Sequence, residues 1–104
     1  MMLNRGKFNG IQVLEPETVD LITTTHFERG DNDMGLGVGI LSDKTYTKSA
    51  RSIGSYSWGG FFTTTFWVDP VENLVAVLML QLYPFDDWDI QTHFENIIYE
   101  IIKD

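Results

Sequence analysis

The chain has 104 residues, which fits one domain with a modest core. Its 43% hydrophobic and 13% aromatic content excludes a disordered chain. Fifteen acidic against seven basic residues give a net charge of −8, which argues against nucleic acid and anionic membrane surfaces as partners. Cysteine is absent, so disulfides and thiolate metal sites are excluded. The longest apolar run, Leu74–Leu80, is too short to span a bilayer. Met1–Gly6 has no apolar stretch of the kind a secretion signal needs, leaving the cytoplasm as the default location.

Met1–Arg5 reads as the last turn of a helix with Gly6 just past its end, an arrangement that implies a segment before it. Glu15-Pro16-Glu17-Thr18-Val19 opens a helix. Pro16 suits the first helical position, and Glu17 and Asp20 lie near the positive end of the helix dipole. Val19, Ile22 and His26 share one face, so the spacing predicts a helix that fades by Phe27 or Glu28. Asp31 and Asp33 in the following loop lack the glycine and the closing glutamate of a calcium loop and read as solvated turn residues.

Met34–Leu41 alternates glycine with large apolar residues. It reads as one strand with Leu36, Val38 and Ile40 on one face and glycines where another element packs closely. Ser42–Arg51 is polar, carries Lys44, Lys48 and Arg51, and reads as a solvated loop or ragged hairpin.

From Ser55 to Leu82 come three β segments: a short one with Trp58-Gly59-Gly60, a second over Thr63–Val68 and a third over Leu74–Leu82. Asp69-Pro70-Val71-Glu72-Asn73 is rich in turn formers, so an antiparallel hairpin joins the last two. Leu74–Leu80 lacks alternation, the mark of a strand covered on both faces. Asp86, Asp87 and Asp89 supply capping candidates for a final helix. Its apolar stripe is Ile90, Phe94, Ile97, Ile98 and Ile101, and Asp87, Asp89 and Glu95 form its acidic flank. Trp67, Trp88 and Phe94 read as core, and His26 and His93 as packing or surface residues. A triad of Ser57, His93 and Asp69 lacks the strand-to-helix elbow such a nucleophile needs.

Trp58-Gly59-Gly60-Phe61, placed at a sheet edge before Phe66-Trp67-Val68-Asp69-Pro70, resembles the third active-site motif of the serine β-lactamase/penicillin-binding-protein superfamily. The resemblance is to its class C-like and family VIII carboxylesterase branches, where the motif is commonly Lys/His-Thr/Ser-Gly and, in the esterase-like branch, often Trp-Gly-Gly. The helix opening Pro16-Glu17-Thr18-Val19, the Gly35-Leu36-Gly37-Val38 segment and the terminal amphipathic helix match in order. The resemblance covers nearly the whole chain but only a carboxyl-terminal portion of a full-length member.

By that resemblance Trp58 stands for the Lys or His, Gly59 for the Thr or Ser, and Gly60 for the Gly along which substrate lies. Phe61 contributes a backbone N–H as half of an oxyanion hole. Such a hole needs fixed donors aimed at the developing negative oxygen, and paired glycines let a ligand backbone come close. Trp58 brings one N–H and a flat apolar face but no cation, which favours neutral esters or amides at the motif. Thr63 stands where many relatives have glycine, stiffening the turn after the motif. The family's Ser-x-x-Lys and Tyr-x-Asn motifs have no counterpart: none of Ser42, Ser49, Ser52, Ser55 and Ser57 has Lys three residues on, and no Tyr has Asn two on.

The expectation is therefore an α+β partial domain over residues 1–104, an antiparallel sheet of three to four strands with amphipathic helices on it. It takes no cofactor or metal and is inactive alone, because nucleophile and base are missing. The alternative is a small self-associating or partner-binding module that retains the scaffold without catalysis. Expected partners are a second copy across an exposed sheet face or edge, the missing N-terminal portion and, in a full-length context, a small ester or amide substrate.

Overall fold

The computed structural model describes residues 1–83 and 89–103. The capping candidates Asp86 and Asp87, and Trp88, lie outside them. A 3-10 turn over Met2–Asn4 opens the chain, followed by a hairpin of β1 (Lys7–Phe8) and β2 (Ile11–Gln12). The residue that turns left-handed after the opening turn is Arg5 (φ 52°), and Gly6 follows suit. Helix α1 (Pro16–Ile22) leads into β3 (Phe27–Arg29), β4 (Asn32–Met34), β5 (Gly39–Ile40), β6 (Tyr56–Gly59), β7 (Thr65–Asp69) and β8 (Leu74–Leu78), and α2 (Asp89–Lys103) completes it. Strands β3 to β8 form one antiparallel sheet in chain order, six strands instead of three or four.

The two extra strands come from segments read otherwise in the sequence. Helix α1 stops at Ile22 because Thr23-Thr24-Thr25 follows. Such β-branched residues stiffen against helix, and the Thr23 and Thr24 hydroxyls bond back to the Val19 and Asp20 carbonyls. His26 is therefore off the helix, where its ring bonds the Leu21 carbonyl, and Phe27–Arg29 pairs with Asn32–Met34. The Met34–Leu41 run is a hairpin and not one strand: Met34 faces Gly39, and the Gly35 N–H bonds the Val38 carbonyl across the turn. Gly35 sits against the end of α1, where a Cβ would fall 2.2 Å from the Ile22 oxygen. The close approach expected of these glycines is thus real at Gly35, while Leu36 is exposed.

Strand alternation divides the core. On one face Tyr56 and Val68 pack with Val38, Ile40, Ile22, Met2 and Leu3 under the amino-terminal elements. On the other, Trp67 and Ala76 meet Tyr99, Phe94 and Ile98 of α2. The final helix does lie on the sheet, but its inward stripe is rotated from the one the spacing predicts. Tyr99 is buried, and Ile97 and Ile101 face outward. Glu95 also turns inward: it pairs with Arg51 (3.1 Å) and accepts from Ser49 Oγ and the Ala50 N–H (both 2.6 Å), latching the 42–55 loop to α2. Strand β8 is covered on one face only. Ala76 is buried while Val75, Val77 and Met79 are exposed.

Asp69 ties these parts together. It is 0% exposed. Its Oδ2 accepts from Tyr99 Oη (2.6 Å) and the Ser52 N–H (2.9 Å), and its Oδ1 from the Val71 and Glu72 N–H groups in the β7–β8 turn. Trp67 Nε1 donates to the same Tyr99 oxygen at 3.2 Å. Burial pushes the Asp69 carboxyl up, but the donors from Tyr99, Ser52 and Glu72 outweigh it and hold the group below its ordinary value. Burial and the Asp69 carboxylate push the Tyr99 hydroxyl up. A depressed folded-state value means that Asp69 contributes stability fully above its unfolded value of about 4 and loses it as pH falls through the folded value. Tyr99→Phe removes one donor and leaves the Trp67 N–H unpaired. It should cost about 1–3 kcal/mol at pH 7, and acid unfolding, followed by circular dichroism, should begin at higher pH than in the parent.

Candidate functional site

The candidate motif occupies the carboxyl-terminal end of β6. That strand lies inside the sheet, not at its edge, which corrects the placement the sequence suggests. The margin is nonetheless open locally, because β5 reaches only as far as Gly39 opposite Ser57. Trp58 and Gly59 pair on one side alone, with Phe66 and Thr65 of β7. Trp58 is 48% exposed and Phe61 71%. Trp58, Phe66 and Val77 stand opposite one another across three strands, on the face away from α2.

After Gly59 the chain folds into a tight turn. The Gly60 N–H donates to the Thr64 carbonyl at 2.6 Å, and the Thr63 N–H to the Gly60 carbonyl at 3.1 Å. Thr63 is buried with φ 77°, a left-handed backbone that a β-branched residue rarely adopts. It is held there by its hydroxyl on the Leu82 carbonyl (2.8 Å) and by the Leu82 N–H on the Phe62 carbonyl (3.1 Å). The turn after the motif is therefore one that a glycine would adopt freely, and here tertiary bonds fix it. Among the described residues the Phe61 N–H has no acceptor. The Phe61 ring stacks on Tyr83 at 4.7 Å between centroids.

Gly59 and Gly60 have ordinary φ angles, and a Cβ on either would meet nothing nearer than 3.4 Å. In contrast to Gly35, the fold itself does not require glycine there. What the missing side chains leave open is the outer surface of the strand end.

A cavity of about 700 Å³ adjoins the motif, in the range of small-molecule clefts. Trp58, Gly59, Gly60 and Phe61 all line it, together with Arg29, Lys48 and Arg51. The structure thus brings the four motif residues to one place, and adds basic side chains that the sequence reading put in solvated loops. The Lys44, Lys48 and Arg51 cluster was the available signal. Its members part company in the fold: Lys44 pairs with Glu28 and Asp33, Arg51 with Glu95, and Lys48 turns to the cavity. The Ser57, His93 and Asp69 arrangement is not assembled, because the Asp69 oxygens are taken by Tyr99, Ser52, Val71 and Glu72. Among the described residues no acidic and histidine cluster could hold a metal ion, and no helix is long and apolar enough to cross a membrane.

An antiparallel sheet with a terminal helix on one face and a half-open motif strand is the α+β scaffold of the β-lactamase/transpeptidase fold. The chain is similar to simvastatin synthase (LovD) from Aspergillus terreus, with a TM-score of 0.75 and 26% identity, over 99% of this chain and 33% of that one. EstCE1, described as a hydrolase with promiscuous acyltransferase activity, shares the fold at a TM-score of 0.77 and 19% identity, over 94% of this chain and 27% of its own. A "Putative D-alanyl-D-alanine carboxypeptidase" of Escherichia coli is 31% identical over 81 residues, 75% of this chain and 18% of its own length. No family model matches the chain. In fold and sequence the chain resembles a carboxyl-terminal portion of the serine β-lactamase/penicillin-binding-protein-like superfamily. It spans about a quarter of the length of an uncharacterised Mycobacterium tuberculosis relative, which it matches at 24% identity.

Because Gly59 and Gly60 carry no packing constraint, Gly59→Ala and Gly60→Ala should each leave unfolding free energy within about 0.5 kcal/mol of the parent. Gly35→Ala should lose about 1–3 kcal/mol through overpacking. Urea titration of the three variants checks this ordering.

Proposed function

We propose that the chain is the carboxyl-terminal part of a β-lactamase-like serine hydrolase and carries its third active-site motif over Trp58, Gly59, Gly60 and Phe61. The observation that carries this reading is the Phe61 N–H without an acceptor, beside two glycines that the fold does not need. A donor fixed by a rigid turn and left free of partners is poised for an oxygen that becomes negative only during reaction. Thr63, bonded at both ends of its turn, keeps that donor from relaxing. The chemistry is acyl transfer on a small ester or amide, with Trp58 as an apolar wall next to the scissile group.

Nucleophile and base are to be supplied by a portion bearing Ser-x-x-Lys and Tyr-x-Asn, so the chain alone is inactive. A fluorophosphonate or penicillin probe should leave the chain alone unlabelled, and a labelled serine peptide would overturn its inactivity. Joined in frame to the preceding part of LovD, the chain should support labelling of the supplied serine. In that chimera Phe61→Pro, which deletes the N–H, should slow acylation by about 100-fold. An unchanged rate would remove Phe61 from the oxyanion site.

A second reading, a self-associating module, is favoured by the exposed stripe of Trp58, Phe66, Val77 and Met79 beside the edge of β8, which is unpaired among the described residues. Apolar faces and open edges drive association. Sedimentation velocity should give a dimer or larger species, and Val77→Lys should return it to monomer. A parent that stays monomeric at high concentration rejects this reading.

A further inference from the structure

The charges around the cavity run against those of the whole chain. The protein carries fifteen acidic and seven basic residues. Yet the charged side chains lining the cavity among the described residues are Arg29, Lys48 and Arg51, and none is acidic. Arg51 is committed to Glu95, Ser49 and the face of Trp67. Arg29 and Lys48 have no acidic partner among the described residues. They come from β3 and from the 3-10 turn of the 42–55 loop, elements separate from the motif strand. Trp58 and Phe61 line the same cavity and are exposed, and the Phe61 ring is braced by Tyr83.

A concave surface of one sign on a body of the other sign concentrates a ligand of complementary charge. Exposed aromatic rings in such a cleft bind flat or apolar groups. We infer that this cavity binds an amphipathic anion, its aryl or apolar body against Trp58 and Phe61 and its anionic group at Arg29 and Lys48. The inference deepens the reading of the site as an acyl-transfer site and rests on that reading. The substrate is an ester or amide whose acid group lies remote from the scissile bond. The bond itself sits by Trp58, which offers no cation, and the acid group is met across the cavity by side chains outside the motif.

Binding of 2-naphthoate and of its neutral isostere 2-naphthamide to the whole chain, followed by amide chemical shifts, tests this without any catalysis. Naphthoate should bind about ten-fold more tightly, with a preference that falls as salt rises. Its shifts should centre on Gly59–Phe61 and Lys48. The double variant Arg29→Gln/Lys48→Gln should abolish the preference for naphthoate while leaving naphthamide binding unchanged. Equal binding of the two ligands overturns the inference, as do shifts confined to the β1–β2 hairpin, which lines no part of the cavity. Loss of acylation in the LovD chimera with naphthoate binding intact would instead fault the acyl-transfer reading and leave the anion site standing.

Discussion

The buried carboxylate of Asp69 is the constraint on which the rest of the structure depends. A charge taken wholly out of water is tolerable only when its lone pairs are filled. Here they are filled from three directions. The Val71 and Glu72 N–H groups fix the turn that sets the register of β7 against β8. The Ser52 N–H fixes the end of the long loop. The Tyr99 hydroxyl fixes the rotation of α2, and Trp67 joins through the same oxygen. One side chain thereby locates a hairpin, a loop and a helix relative to each other.

The site inherits its rigidity from that arrangement. Strand β7 is held from below by Asp69 and Trp67, and it carries β6 through the pairs Tyr56–Val68 to Gly59–Thr65. The motif therefore ends on a well-supported ladder, and only beyond Gly59 does the backbone leave it. The turn that follows is strained at Thr63 and restrained through Leu82. Strain of this kind persists only where the surroundings over-determine it, and two residues before Thr63 the Phe61 N–H has no acceptor among the described residues. Glu95 ties Arg51 and the loop to α2, and Lys48 of the same loop lines the cavity.

Much of this was legible in the residues. The turn formers Asp69–Asn73 announced the hairpin, and Asp69 and Asn73 do shape it, Asn73 by taking a left-handed φ of 53°. The Trp58-Gly59-Gly60 pattern pointed to the family, and the four motif residues do gather at one cavity. Other features were hidden for stated reasons. The short strands β3 to β5 hold two or three residues each, too few for a period to register. The inward rotation of α2 follows from the Tyr99–Asp69 bond, which joins residues thirty positions apart. Glu95 looked like a solvated acid because its partners Arg51, Ser49 and Ala50 lie far away in the chain.

By itself the sequence determined the class of scaffold, the central hairpin, the terminal helix and the likeness of Trp58-Gly59-Gly60-Phe61 to a family motif. These depend on local turn chemistry and on apolar spacing within one element, which are properties of neighbouring residues. Only the tertiary structure decided that β6 lies within the sheet yet opens at its end, that Thr63 is forced left-handed, and that the cavity is basic in an acidic protein. Each of these depends on which distant segments meet, and residues such as Arg29 and Lys48 come to line one cavity only when the sheet and the loop bring them together.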